Sequence, residues 1–268
     1  NSGADGQDFE MSERMKTAVI SGGAGGLGQA LARGLQERGW HTILIDRETG
    51  RLPTTASQWP ITCDLTDPQA RRSAFAKILA SYRQIDLVIY NAGITQIGAF
   101  ETSDEASHRK VFEINYFAAV EMARTFLKSV RAASGTHLAI SSVAGFSPLY
   151  HRTTYAASKH ALEGFFKSLR SEESPHGVTT LIAAPSFVAT NIGNDQRQAD
   201  GTARPGSAGD GVDYMTPDAA ARVILRGYEK KRAMIPVGRI ANLAWRLNRL
   251  SPGLFQRLME RNVRGSSS

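Results

Sequence analysis

Short β-branched runs alternate with amphipathic helical stretches from Met15 to Val237, and this order leaves few folds open. KTAVIS (16–21), HTILID (41–46), a weaker run at 59–63, DLVIY (86–90), 136–142 and 178–184 read as strands. Helical spacing fills 27–38, 68–82, 108–133, 153–173 and 217–230, and 233–237 adds a short strand. Asp67 followed by Pro68 marks one helix start. Strand and helix in strict turn imply right-handed crossovers. The expected fold is therefore α/β, a doubly wound parallel sheet of six to seven strands with helices on both faces.

Length fits that reading. The chain has 268 residues, 41% of them hydrophobic and 21% charged, which is an ordinary globular composition and excludes a disordered or collagen-like chain. The single cysteine, Cys63, excludes an intrachain disulfide and a multi-cysteine zinc site, and no metal is expected. Residues 1–14 are polar and aperiodic and are expected to be a flexible tail; 15–238 are expected to form one domain that holds the functional site. No apolar run approaches the ~20 residues of a membrane span, and no secretory leader is visible, so a cytoplasmic location is expected.

The segment SGGAGGLG (Ser21 to Gly28) lies directly after the first strand and opens a helix. A pyrophosphate needs backbone N–H groups aimed at it and a backbone it can approach closely, which Gly22, Gly26 and Gly28 permit beside Ser21 and Leu27. Asp46 ends the second strand. A carboxylate there accepts hydrogen bonds from ribose hydroxyls and repels a 2′-phosphate, which favours NAD. Arg47 beside it leaves NADP as the alternative. Asp64 and Leu65 follow the third strand, where the adenine edge would lie, and Asn91, Ala92 and Gly93 follow the fourth. Plain turn chemistry would also explain Asn91 and Gly93.

Tyr155 and Lys159 are four apart on a helical stretch and point the same way. A nearby ammonium favours the phenolate, which would turn a phenol of ordinary pKa about 10 into an acid–base group suited to an alcohol–ketone conversion. Ser142 ends the fifth strand, placed to hold the reacting oxygen. An isolated Tyr–Lys pair of this kind is common on surface helices. The glycine turn ahead of it gives it weight.

With SGGAGGLG, NAG (91–93), ISS (140–142) and YAASK (155–159) in this order, the chain resembles the short-chain dehydrogenases/reductases over about 16–237. The resemblance implies a Rossmann fold and a catalytic tetrad of Asn115, Ser142, Tyr155 and Lys159. Asn115 would hold a water linking the lysine to solvent, and Lys159 would also bind the nicotinamide ribose. It further implies cofactor contacts from Pro185, Val188 and Thr190, and a homodimer or homotetramer. Ser21 stands where threonine is usual, Tyr90 where a second asparagine is common, and Ser186 where a glycine usually follows Pro185.

From Gly227 onward nine Lys/Arg face two Glu, which accounts for the whole net charge of +7. Residues 239–268 read as a basic amphipathic helical extension, similar to that of hydroxysteroid dehydrogenases, broken at Pro252. Three roles compete: an arm packed over the substrate pocket or a partner subunit, peripheral contact of 239–264 with an anionic membrane, and a nucleic-acid arm. Sparse aromatics disfavour the last, and no nucleic-acid partner is expected.

The expected activity is NAD-dependent interconversion of a secondary alcohol and a ketone. Phe146, Pro148, Leu149, Tyr150, Phe187, Val188 and Ile192 suggest an apolar small-molecule substrate, steroid-, retinoid-, lipid- or aromatic-like. His151 and Arg152 are expected to be solvated. The alternatives are an NADPH-dependent carbonyl reductase and a non-catalytic NAD sensor. The segment 191–213 is a long polar loop of the kind that borders a substrate.

Overall fold

The computed structural model describes residues 14–189, 198–204, 214–253 and 255–257. Thr190 and most of the polar loop after it, Ile192 included, lie outside these, as do most of the expected N-terminal tail and the end of the chain.

Seven strands form one parallel sheet: β1 (Thr17–Ser21), β2 (His41–Asp46), β3 (Gln58–Thr62), β4 (Leu87–Tyr90), β6 (Thr136–Ile140), β7 (Thr179–Pro185) and β9 (Met234–Val237). Their order is β3-β2-β1-β4-β6-β7-β9. Among the described residues the α-helices that flank the sheet are α1 (Gly26–Gln36), α2 (Pro68–Ser81), α3 (Glu105–Phe112), α4 (Ala118–Ala132), α5 (Thr153–Glu173), α6 (Pro217–Glu229) and α7 (Arg239–Leu250). The inner strands are buried on both faces, which is why they read as continuous apolar runs rather than alternating ones. Val19, Ile43, Ile45 and Val88 point to one face, under Phe75 of α2, Phe126 of α4 and Phe166 of α5. Ile20, Leu44, Leu87 and Ile89 point to the other, under Leu31 of α1 and Ile224 and Leu225 of α6. Burying such side chains contributes roughly 1.5–3 kcal/mol each, and these two layers fix the sheet.

The strand order reverses between β1 and β4. At such a switch point the two following loops diverge to opposite faces and leave a crevice at the carboxyl edge. Both sequence motifs, the glycine turn after β1 and the NAG turn after β4, fall there.

Three features differ from the sequence reading. The helix expected over 108–133 is two helices joined by a π-helical turn at Glu113–Phe117, which carries Asn115. A two-stranded antiparallel ribbon pairs β5 (Thr95–Gln96) with β8 (Thr202–Ala203), which no periodicity in two-residue strands could announce. Arg152, at the N-cap position of α5, is buried, 8% exposed, where a solvated side chain was expected; its neighbour His151 stays outside with φ 55°.

Candidate active site

The glycine turn is shaped for close approach. Gly22 has φ +64°, and a Cβ there would lie 2.9 Å from the Ala92 Cα. A Cβ on Gly28 would lie 2.2 Å from the Gly22 carbonyl oxygen, so only glycine fits. The Ser21 hydroxyl accepts the backbone N–H groups of Asn91 and Ala92 (both 3.1 Å) and donates toward the Ile89 carbonyl (3.4 Å). Asn91 donates its side-chain amide to the Gly22 carbonyl at 3.0 Å. One hydroxyl and one amide thus fasten the two turns together, which is what the hydroxyl at position 21 preserves.

Helix α1 starts here, at Gly26, Leu27 and Gly28, with no side-chain cap on its first turn. Helices α2, α3 and α6 are capped by Asp67, Asp104 and Thr216. Uncapped amides at a helix N-terminus beside a glycine cradle suit a pyrophosphate, and the residues present fit a dinucleotide. Asp46 lies at this turn: one carboxylate oxygen accepts the Ala24 N–H at 3.0 Å and the other the Arg47 N–H at 2.7 Å. The Arg47 side chain is exposed. Burial pushes the Asp64 carboxyl up, but two hydrogen bonds from Thr66 (2.8 Å each) and the Arg47 charge outweigh it and hold the group below the usual carboxylate range. Leu65 is buried and its carbonyl accepts from Arg71. Pro185 ends β7; Val188 bridges to Met215.

Helix α5 turns a stripe inward whose upper part is polar: Tyr155, Ser158, Lys159 and Glu163 are all buried. The Lys159 ammonium donates to the Ile140 carbonyl at 2.9 Å and lies 5.9 Å from the centre of the Tyr155 ring. Burial pulls the Lys159 pKa down to about 8, partly offset by the Glu163 charge. Burial raises the Tyr155 phenol above its ordinary value, against a hydrogen bond with Ser142 and the charge of Arg152. Arg152, which the sequence reading took for a solvated residue, thus adds a second positive charge near the phenol. Its signal was its place three residues before Tyr155, one helical turn away.

The Ser142 hydroxyl accepts the Ala144 N–H at 3.2 Å. Asn115 sits on the π-helical turn and clamps the chain after the NAG turn. It accepts the Ile94 N–H at 2.8 Å, donates to the Ile94 carbonyl at 2.9 Å, and donates to the Ser158 hydroxyl at 2.9 Å. Gly93 lies between Asn115 and Lys159: a Cβ there would be 3.2 Å from the amide oxygen and 3.5 Å from the ammonium. The fold thus gathers Asn115, Ser142, Tyr155 and Lys159 at the carboxyl edge, beside the turns that fit a dinucleotide. Phe146, Leu149 and Val188 are half-buried, and Tyr150 is 52% exposed.

A parallel sheet with a dinucleotide crevice and a phenol beside it marks the nicotinamide-dependent oxidoreductases that act on CH–OH groups. Within that class, residues 16–201 match the family model described as short chain dehydrogenase, and the chain belongs to the short-chain dehydrogenase/reductase family. It is 32% identical over 94% of its length to the dehydrogenase/reductase SDR family member 7B of Bos taurus, covering 82% of that protein. It is 28% identical to a Drosophila melanogaster protein named dehydrogenase/reductase SDR family protein 7-like, over 92% of this chain and 80% of that one. Among solved structures, a short chain dehydrogenase from Burkholderia cenocepacia in complex with NADP superposes with a TM-score of 0.79 at 22% identity, covering 92% of this chain and 97% of that one. A Burkholderia phymatum short chain dehydrogenase/reductase in complex with NAD gives 0.75 at 21% identity, covering 90% and 95%. Among the described residues no helix is long and apolar enough to cross a membrane.

Proposed function

We propose that the protein transfers hydride between NAD(H) and a secondary alcohol or ketone carried on an apolar body. The observation that carries this reading is the face of α5 that holds Tyr155 against Ser142 with Lys159 one turn further on. When bound, the nicotinamide supplies or takes up the hydride. Gly22, Gly26, Leu27 and Gly28 would hold its pyrophosphate, Asp46 the adenosine ribose, Asp64 and Leu65 the adenine edge, Asn91 to Gly93 the backbone between, and Pro185, Val188 and Thr190 the carboxamide side.

Ser142 accepts a backbone N–H, which leaves its own proton free to donate to the substrate oxygen. In reduction Tyr155 gives its proton to that oxygen; in oxidation it takes the hydroxyl proton. Lys159 orients the nicotinamide ribose, and Asn115 supports proton exchange beside it. The buried phenol is held protonated, which suits the reductive direction at neutral pH. Phe146, Leu149, Phe187 and Val188 favour an apolar substrate over a polyol.

Asp46 at the glycine turn favours NAD. The exposed Arg47 beside it supports a second reading, NADPH-dependent carbonyl reduction. Exposed Phe117, 49% accessible, beside Tyr116 supports association of two copies through the α4 face. The extension is read as an arm on the body, since Asn248 of α7 donates to the Phe146 carbonyl at 2.9 Å. The location is read as cytoplasmic, with contact of 239–264 at an anionic membrane surface as the alternative.

Tyr155→Phe tests the assignment. It is expected to remove most turnover of a ketone panel with NADH while leaving NADH affinity nearly unchanged. Comparable turnover in the variant would take the acid–base role away from Tyr155.

A further inference from the structure

Tyr155, Lys159 and Glu163 follow one another at four-residue intervals on α5, so they form one ladder along its inner face. Each rung faces a different one of three successive residues at the end of β6. Tyr155 stands against Ser142, Lys159 donates to the Ile140 carbonyl, and Glu163 accepts the Ser141 hydroxyl at 2.9 Å. Glu163 is 1% exposed. Its second oxygen accepts from Lys167, one turn further on, at 2.7 Å, and that lysine is half exposed. Gly145 closes over the carboxylate: a Cβ there would lie 2.3 Å from both the Glu163 and Ser141 side-chain oxygens.

A carboxylate so deeply buried is expensive unless each oxygen is bonded and a cation is near. Lys167 supplies one cation, and Lys159, the preceding rung, is the other. Beside it, Lys159 donates to the neutral Ile140 carbonyl, Gly93 separates it from the Asn115 amide, and the titratable Tyr155 ring lies 5.9 Å away. Arg152, at the start of α5, adds its charge near Tyr155.

We propose that Glu163 is a positioning residue for the active site: through Ser141 it locks α5 to the strand end that carries Ser142, and it is the counter-charge that keeps Lys159 an ammonium. The proposal rests on the reading of Lys159 as the cation beside the nicotinamide ribose. Without the Glu163 charge, a lysine this buried loses its proton more readily, and its capacity to orient the ribose goes with it.

The test reads the lysine directly and needs no substrate. The Lys159 side-chain resonance, assigned by its loss in Lys159→Arg, is titrated by NMR in the full-length protein, in Glu163→Gln and in Lys167→Met. The parent midpoint is expected at about 8. Glu163→Gln keeps an oxygen for Ser141 but removes the charge, and its midpoint is expected to fall by roughly 0.5 pH or more. Lys167→Met removes an opposing surface cation and is expected to move the midpoint upward. A Glu163→Gln midpoint equal to the parent's overturns the proposal; if that variant does not fold, an unmoved Lys167→Met midpoint does so instead. A role confined to packing would move neither. Turnover is not read, so persistent activity in Tyr155→Phe would sink the proposed function and leave this titration to be judged by itself.

Discussion

The Asp46 carboxylate stands at the glycine turn, where its two oxygens already accept backbone N–H groups of Ala24 and Arg47. On the proposed reading, a negative group fixed in that place would select against a 2′-phosphate through charge and favour ribose hydroxyls through hydrogen bonding. Asp46→Ala is expected to weaken NADH at least ten-fold, as the loss of hydrogen bonds to a charged group of about 1.5–3 kcal/mol implies. NADPH should tighten in the same variant, and fluorescence titration with both cofactors checks the pair. Tyr155 sets a pH dependence of its own. With the phenol above its ordinary value, the basic form that alcohol oxidation needs is scarce at neutrality and grows as pH rises. Oxidation is therefore expected to accelerate from pH 6 toward 8. Both directions should fade above pH about 8, where Lys159 loses its proton and with it the hold on the ribose. Initial rates in both directions across this range measure it; an oxidation rate flat with pH would contradict the protonated phenol. The sequence announced Tyr155 and Lys159 by their spacing; the burial of both and the nearby Arg152 guanidinium act through three dimensions and leave no mark in a four-residue interval.

Elements carry the site in ways that the sequence revealed unevenly. The strands of the sheet were readable because double-sided burial writes itself as apolar runs. The interruption between α3 and α4 was not, since a π-helical turn adds one residue to a helix without altering its composition. Yet that turn sets where the Asn115 amide points and lets it clamp both backbone groups of Ile94. The β5–β8 ribbon escaped notice for a similar reason. It is held from outside by Lys110, which donates to Gln198 at 2.7 Å and to Asp200 and Thr202 at 3.1 Å each. Helix α7 was legible as an amphipathic extension, and its role depends on one tie. Asn248 holds the Phe146 carbonyl in the loop that follows Ser142. Asn248→Ala is expected to raise the KM for an apolar ketone several-fold with NADH affinity unmoved, at about 1 kcal/mol of stability. Steady-state kinetics with each substrate varied in turn separates the two effects.

At the scale of the whole molecule, the core contains a polar pair that limits its tolerance of acid. His137 of β6 is wholly buried and shares a 2.6 Å hydrogen bond with the Tyr90 hydroxyl of β4. Burial pulls the imidazole down from 6.5 to about 4, so the folded protein keeps it neutral where the unfolded chain would protonate it. The unfolded state thus binds more protons between these values. The associated stability is present above pH 6.5 and is lost as pH falls toward 4, by about 3 kcal/mol at most. Urea unfolding at pH 7 and pH 5 should show a drop that His137→Phe reduces. An equal drop in both proteins would assign the acid sensitivity elsewhere. The fold class was evident from strand and helix in turn, and the two joined turns of the cofactor crevice from their glycines. The buried histidine pair was invisible, since nothing in a run such as THLAI tells which face meets a tyrosine two strands away in the sequence.

Because β9 runs parallel to the rest, its end delivers α7 to the same rim as the crevice, and the arginines 239, 246 and 249 come with it. A dinucleotide arrives carrying two phosphates' worth of negative charge. A cationic margin on one side of an otherwise balanced body acts as a funnel, so capture should slow as ionic strength rises while release, governed by contacts inside the crevice, stays nearly constant.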